Sequence, residues 1–189
     1  MALKDVYISE LERGWEKVLA WFFAYREMQT LTELCKKLGI SKVTAREAVK
    51  ALEKEKFLEI KTLGRAWIIK ANQNHFYFKS KKIAQNLMHV YESNILDAVY
   101  KKIPNANAVI LFGSYRKGDD VPESDIDIAA EVTGDKQLEI AELGTISQLG
   151  YRKNVKVKLH IFSRTKVDIN LFASIANGIV LSGFLEVRP

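Results

Sequence analysis

The chain is poor in the residues that staple small folds together. Its 189 residues include one cysteine, Cys35, and three histidines, His75, His89 and His160. A single cysteine excludes an intramolecular disulfide and fits a reducing, cytoplasmic setting. The histidines lie far from one another and from Cys35, so no zinc-ligand spacing is present. Long hydrophobic runs are missing too. The longest stretch without a charge, 169–185, contains Asn170, Ser174, Asn177, Gly178, Ser182 and Gly183. It therefore predicts a buried helix and strand, not a membrane span. No apolar segment follows Lys4 and Asp5, so no secretion signal is expected.

What is present is the composition of a globular protein, 48% hydrophobic, with a net charge of +6. Residues 1–80 carry 15 Lys and Arg against 10 Asp and Glu, a balance of +5. Residues 81–189 carry 14 against 13, a balance of +1. The first part is thus the better candidate for a nucleic-acid surface, though the excess is modest.

The first part also has the punctuation of a compact helical unit. Leu11, Trp15, Val18, Leu19, Phe22 and Phe23 recur at helical spacing. Thr30 followed by Glu33 predicts a capping box, and Leu31, Leu34, Cys35 and Leu38 give that helix a buried face. Gly39 is placed to end it, and Ser41 to cap a third helix from Lys42 to about Lys54. Two capped helices joined by a short turn form a helix-turn-helix pattern. In the third helix Ala45, Ala48, Val49 and Leu52 face the core, while Lys42, Arg46 and Lys50 form a basic stripe roughly 110° away. Residues 57–61 and 66–69 predict a β-hairpin turning at Gly64, with Lys61 and Arg65 near its tip.

Three helices and a hairpin resemble the winged helix-turn-helix. The resemblance implies double-stranded DNA as partner, contacted by Lys42, Arg46, Lys50, Lys61 and Arg65. The alternative is a wing for dimerisation or protein docking, with solvated charges. The polar break 72–75 suggests a winged-helix domain over 1–75, followed by a linker helix and second domain over 76–189.

In that second domain, 80–102 predicts a helix and 104–107 a turn. Ala108–Phe112 is a strand buried on both faces, ending in a glycine turn at Gly113 and a polar loop. A second strand carries Asp125 and Asp127. Residues 137–151 predict a helix, 154–162 an alternating strand, 163–176 a helix capped by Ser163, and 178–183 a final strand.

Asp125 and Asp127 are two apart, so both carboxylates point to one face of a strand. Paired carboxylates repel unless a cation lies between them, and their hard oxygens suit Mg²⁺. Gly113 allows close backbone approach, and Ser114 offers a hydroxyl and an N–H to a phosphate. In this order, Phe112-Gly113-Ser114 and Asp125-Ile126-Asp127 resemble the signature of the nucleotidyltransferase superfamily that includes DNA polymerase beta. Tyr115-Arg116-Lys117-Gly118 is similar to the basic continuation of its minimal members.

The resemblance, over about 95–185, implies an α+β architecture with a small mixed sheet. It also implies NMP transfer from an NTP with Mg²⁺ or Mn²⁺. Asp125 and Asp127 would hold metal, and Gly113, Ser114, Arg116 and Lys117 would hold nucleotide. The family places a third carboxylate on the strand 154–162, where this chain has Lys158. Glu131 shares the face of Asp127 but is about 13 Å along the strand. Lys158 is then either a catalytic charge substituting for a second metal or a surface lysine; His160 is more ordinary as a structural histidine. A domain that binds nucleotide or a protein partner without turnover, as in a DNA-binding regulator or an antitoxin, is the alternative.

Overall fold

The computed structural model describes residues 2–8 and 13–187. Leu11, part of the first predicted helix, lies outside them. The chain divides into two compact units: residues 7–82, and residues 1–6 together with 83–189.

The first unit contains α1 (Gly14–Ala24), α2 (Leu31–Leu38), α3 (Lys42–Lys54), and strands β1 (Gln29–Thr30), β2 (Leu58–Leu63) and β3 (Ala66–Ala71). Its sheet has the order β1-β3-β2. The capping box at α2 is formed: Glu33 N–H donates to Thr30 Oγ1 at 3.2 Å, and Thr30 N–H donates to Glu33 Oε2 at 2.9 Å. The bond from Thr30 N–H, and then one from the Thr30 hydroxyl at 2.8 Å, hold the Glu33 carboxyl below its ordinary value. Gly39 follows in the left-handed region, and Ser41 Oγ accepts from Thr44 N–H at 3.0 Å. Val18, Phe22, Leu34, Ala45, Val49 and Ile69 close the core.

The second unit is a five-stranded sheet of order β6-β7-β5-β4-β8, built from β4 (Ala108–Phe112), β5 (Ile126–Glu131), β6 (Glu139–Leu149), β7 (Arg152–Phe162) and β8 (Ile179–Gly183). Among these five strands β5 and β7 pair in parallel and the other neighbours antiparallel. Helix α4 (Phe78–Glu92) enters this unit at residue 83, and α5 (Ile95–Lys102) follows it. Val90, Ile95 and Val99 pack on one sheet face with Leu111, Ile128 and Val157. Ile175 of α7 (Ile169–Ala176) packs on the other, with Ile110, Phe112, Ala129 and Phe162. Residues 2–6 join this unit at the end of β6: Val6 N–H donates to Gln148 O at 2.8 Å and Gly150 N–H to Val6 O at 2.7 Å.

Four expectations are corrected. Residues 137–151 are not a helix but the edge strand β6. Ile140, Leu143, Ile146 and Leu149 recur at threes, a spacing that imitates a helix; in the strand a bulge lies between Glu142 and Gly144, and Ile140 is exposed while Ile146 and Leu149 are buried. The helix 80–102 breaks at Asn94, which adopts φ 59°. Ser163 does not cap α7; its hydroxyl donates to Lys136 O, and Asp168 Oδ1 accepts from the N–H groups of Asn170 and Leu171. α7 is also not buried: only Ile175 is inside, and Ile169 is 76% exposed. In addition, Gly113 opens a short helix, α6 (Gly113–Lys117), in place of a bare turn.

Candidate active site

The two halves of the motif meet where β4 ends. Phe112 lies opposite Asp127 across the β4–β5 ladder, and Asp127 lies beside Lys158 across β5–β7. Gly113 has φ +74°, and a Cβ there would stand 2.6 Å from Asp127 Oδ2. Glycine alone meets both demands, a left-handed backbone and room for the carboxylate.

Ile126 is fully buried, so its neighbours Asp125 and Asp127 both turn to the opposite face, each side chain about a quarter exposed. Alternation along β7 puts Lys158 and His160 on that same face. Lys158 Nζ is 2.6 Å from Asp125 Oδ2, and His160 Nε2 is 3.2 Å from Asp127 Oδ1. The hydrogen bond to Asp125, and then its charge, holds the Lys158 ammonium above the ordinary lysine value. The His160 ring meets Phe112 edge-on at 4.9 Å, and its Nδ1 is buried without a partner. Glu131 is committed elsewhere, with its Oε1 2.8 Å from Arg164.

Two carboxylates with their remaining coordination left to water and phosphate suit one Mg²⁺ or Mn²⁺. Among the described residues no group of three or more His, Cys, Asp and Glu could hold a metal. Lys158 stands on the strand where a third acid would be needed.

Gly113, Arg116 and Lys117 line a pocket of about 300 Å³ with Ala173, Ser174 and Asn177. Arg116 Nε is buried there without a hydrogen-bond partner, a donor suited to an anionic ligand. Ser174 and Asn177 were not singled out from sequence. The Ser174 hydroxyl donates to Asn170 O and the Asn177 amide to Ala173 O, so both side chains are tied to their own helix.

Residues 94–183 match the family model Polymerase beta, Nucleotidyltransferase. The match takes in α5 through β8, and with it Gly113, Ser114, Asp125, Asp127, Lys158 and His160. It supports the nucleotidyltransferase superfamily for this domain and leaves the first unit unmatched. No curated protein matches the chain.

The second unit also contains a residue without any sequence signal. Arg152, 4% exposed at the start of β7, donates through Nε and Nη2 to Pro122 O at 3.3 and 3.1 Å, and through Nη2 to Ser124 O. Its Nη1 is 3.5 Å from Asp120 Oδ2, and its guanidinium lies 5.6 Å from the Tyr115 ring centroid. Asn86 Nδ2 donates to both Asp120 Oδ1 and Tyr115 O. Only three-dimensional pairing reveals this, because a lone arginine after a glycine turn reads as surface charge.

In the first unit Lys42, Arg46 and Lys50 are exposed along α3, and Lys61 and Arg65 are exposed on the hairpin. Arg46 and Lys50 stand 4.9 and 5.9 Å from the Trp67 ring on β3. The stripe and the hairpin therefore adjoin. Among the described residues no helix is long and apolar enough to cross a membrane.

Proposed function

We propose that the chain is a Mg²⁺- or Mn²⁺-dependent nucleotidyltransferase that moves a nucleoside monophosphate from an NTP to an acceptor hydroxyl or phosphate. Its first unit is a winged helix-turn-helix that binds double-stranded DNA through Lys42, Arg46, Lys50, Lys61 and Arg65. The observation that carries the transfer reading is the placement of both carboxylates, Asp125 and Asp127, on one face beside Gly113 and Ser114.

Ser114 and the N–H groups that open α6 would hold the triphosphate, with Arg116 and Lys117 adding charge. Asp125 and Asp127 would hold one divalent ion, which when bound neutralises phosphate charge and orients the α-phosphorus. Lys158 would add the fixed positive charge that a second ion supplies elsewhere. His160 would fix the rotamer of Asp127. Transfer then rests on positioning for in-line displacement: the acceptor oxygen bonds the α-phosphorus and pyrophosphate leaves.

A second reading, a DNA-binding regulator or antitoxin-like protein that binds nucleotide or a protein partner without turnover, draws on one observation. Lys158 already engages one oxygen of Asp125. The test is incubation of the full chain with each α-labelled NTP and Mg²⁺, followed for released pyrophosphate and labelled product. Pyrophosphate release lost in Asp125→Asn with Asp127→Asn supports transfer. Nucleotide binding with no release, and release gained in Lys158→Asp, would decide for the second reading.

A further inference from the structure

We propose that Arg152 is a positioning residue for the site: it holds the segment 119–124 so that Asp125 enters β5 facing Lys158. The inference rests on the functional reading only in taking Asp125 as a ligand of that site.

The segment between α6 and β5 has little regular structure of its own. Three short-range bonds shape it, from Asp119 N–H to Ser114 O at 3.1 Å, from Val121 N–H to Ser124 Oγ at 2.9 Å and from Ser124 N–H to Val121 O at 3.0 Å. None of the three engages the peptide unit between Ser124 and Asp125. Arg152 reaches across from β7 and donates to the carbonyls of Pro122 and Ser124, the latter in the peptide unit that leads directly into Asp125. A planar guanidinium can serve both carbonyls at once, whereas an ammonium offers a point charge without that fork. Its other end is held by Asp120, which Asn86 also holds, and its face lies over Tyr115, the residue after Ser114. One buried side chain thus ties the phosphate-binding turn, the approach to the carboxylate pair and the strand that carries Lys158. Titratable groups facing it are Asp120 directly and, through Tyr115, the neutral imidazole of His89. Outer partners that orient ligating carboxylates typically change ligand affinity or activity about 10- to 100-fold when removed.

The test uses the full chain with Arg152→Ala and Arg152→Lys, and reads two quantities besides the melting temperature. One is the ¹³Cε shift of Lys158 in lysine-labelled protein, assigned with Lys158→Arg. The other is affinity for MgATP by titration. In Arg152→Ala the Lys158 signal is expected to move toward its position in Asp125→Asn, with MgATP affinity down about tenfold or more. Millimolar guanidinium should restore both, and Arg152→Lys should show the same displaced signal with its circular dichroism intact. A lowered melting temperature with the Lys158 signal and affinity unchanged would overturn the proposal, since a merely structural arginine gives that result. Should Arg152→Ala not fold, an unchanged Lys158 signal in Arg152→Lys overturns it equally. If wild-type protein binds no MgATP, the functional reading fails, and the Lys158 signal still decides the role of Arg152.

Discussion

At the scale of single residues, burial converts ordinary side chains into constraints. His89 is buried on α4 with its Nδ1 3.4 Å from the Tyr115 hydroxyl, near Arg152. Burial first, and the arginine charge second, push its imidazole from 6.5 down to about 4. The folded chain therefore keeps His89 neutral at a pH where the unfolded chain binds a proton. Stability is full above about 6.5 and falls as pH drops toward 4, by up to about 3 kcal/mol from this group. Urea unfolding between pH 7 and pH 4 should show that slope, and His89→Gln should flatten it. An equal slope in both proteins would mean that other groups govern acid sensitivity. The Tyr115 phenol, pushed up by burial, stays protonated throughout.

At the scale of elements, α3 and the β2–β3 hairpin carry the case for DNA. If Lys42 and Arg46 contact phosphates, each contributes about 0.9 to the slope of log affinity against log salt. Lys42→Ala with Arg46→Ala should weaken binding to a DNA duplex and reduce the slope by about two. Anisotropy titrations at several salt concentrations that show no change would remove α3 from the interface. The same elements explain what was legible in the sequence. The caps at Thr30 and Ser41, the left-handed Gly39 and the turn at Gly64 are local chemistry, readable within four residues. The same holds for Gly113 and the pair Asp125 and Asp127. β6 was not legible, because its apolar residues recur at threes as in a helix and a bulge breaks its alternation. Nor was the ion pair of Lys158 with Asp125 determined by alternation alone. Alternation gave the shared face, and the contact needed the parallel register of β5 and β7.

At the scale of the whole molecule, the linear order of the chain is not its spatial order. Residues 1–6 belong with 83–189, and the unit 7–82 is set into the chain between them. Lys4 N–H donates to Ser93 O at 2.9 Å, Gln148 N–H to Asp5 Oδ1 at 2.9 Å, and Val6 is buried against Leu149. Deletion of residues 2–6 should destabilise the second unit by about 2–4 kcal/mol, the sum of several backbone hydrogen bonds and one buried valine. Denaturant unfolding of full-length and truncated chains measures it, and equal midpoints would refute it.

That short segment also has a place in time. Asp5 and Gln148 are 143 positions apart, and closing so long a loop costs about 4 kcal/mol beyond a constant. The β6–β7 hairpin closes over two residues and can form early, but residues 2–6 have no edge to join until it exists. They are then the last segment to arrive in folding and the first to leave. Amide exchange at Val6 and Gly150 should accordingly run well ahead of exchange at Ile128.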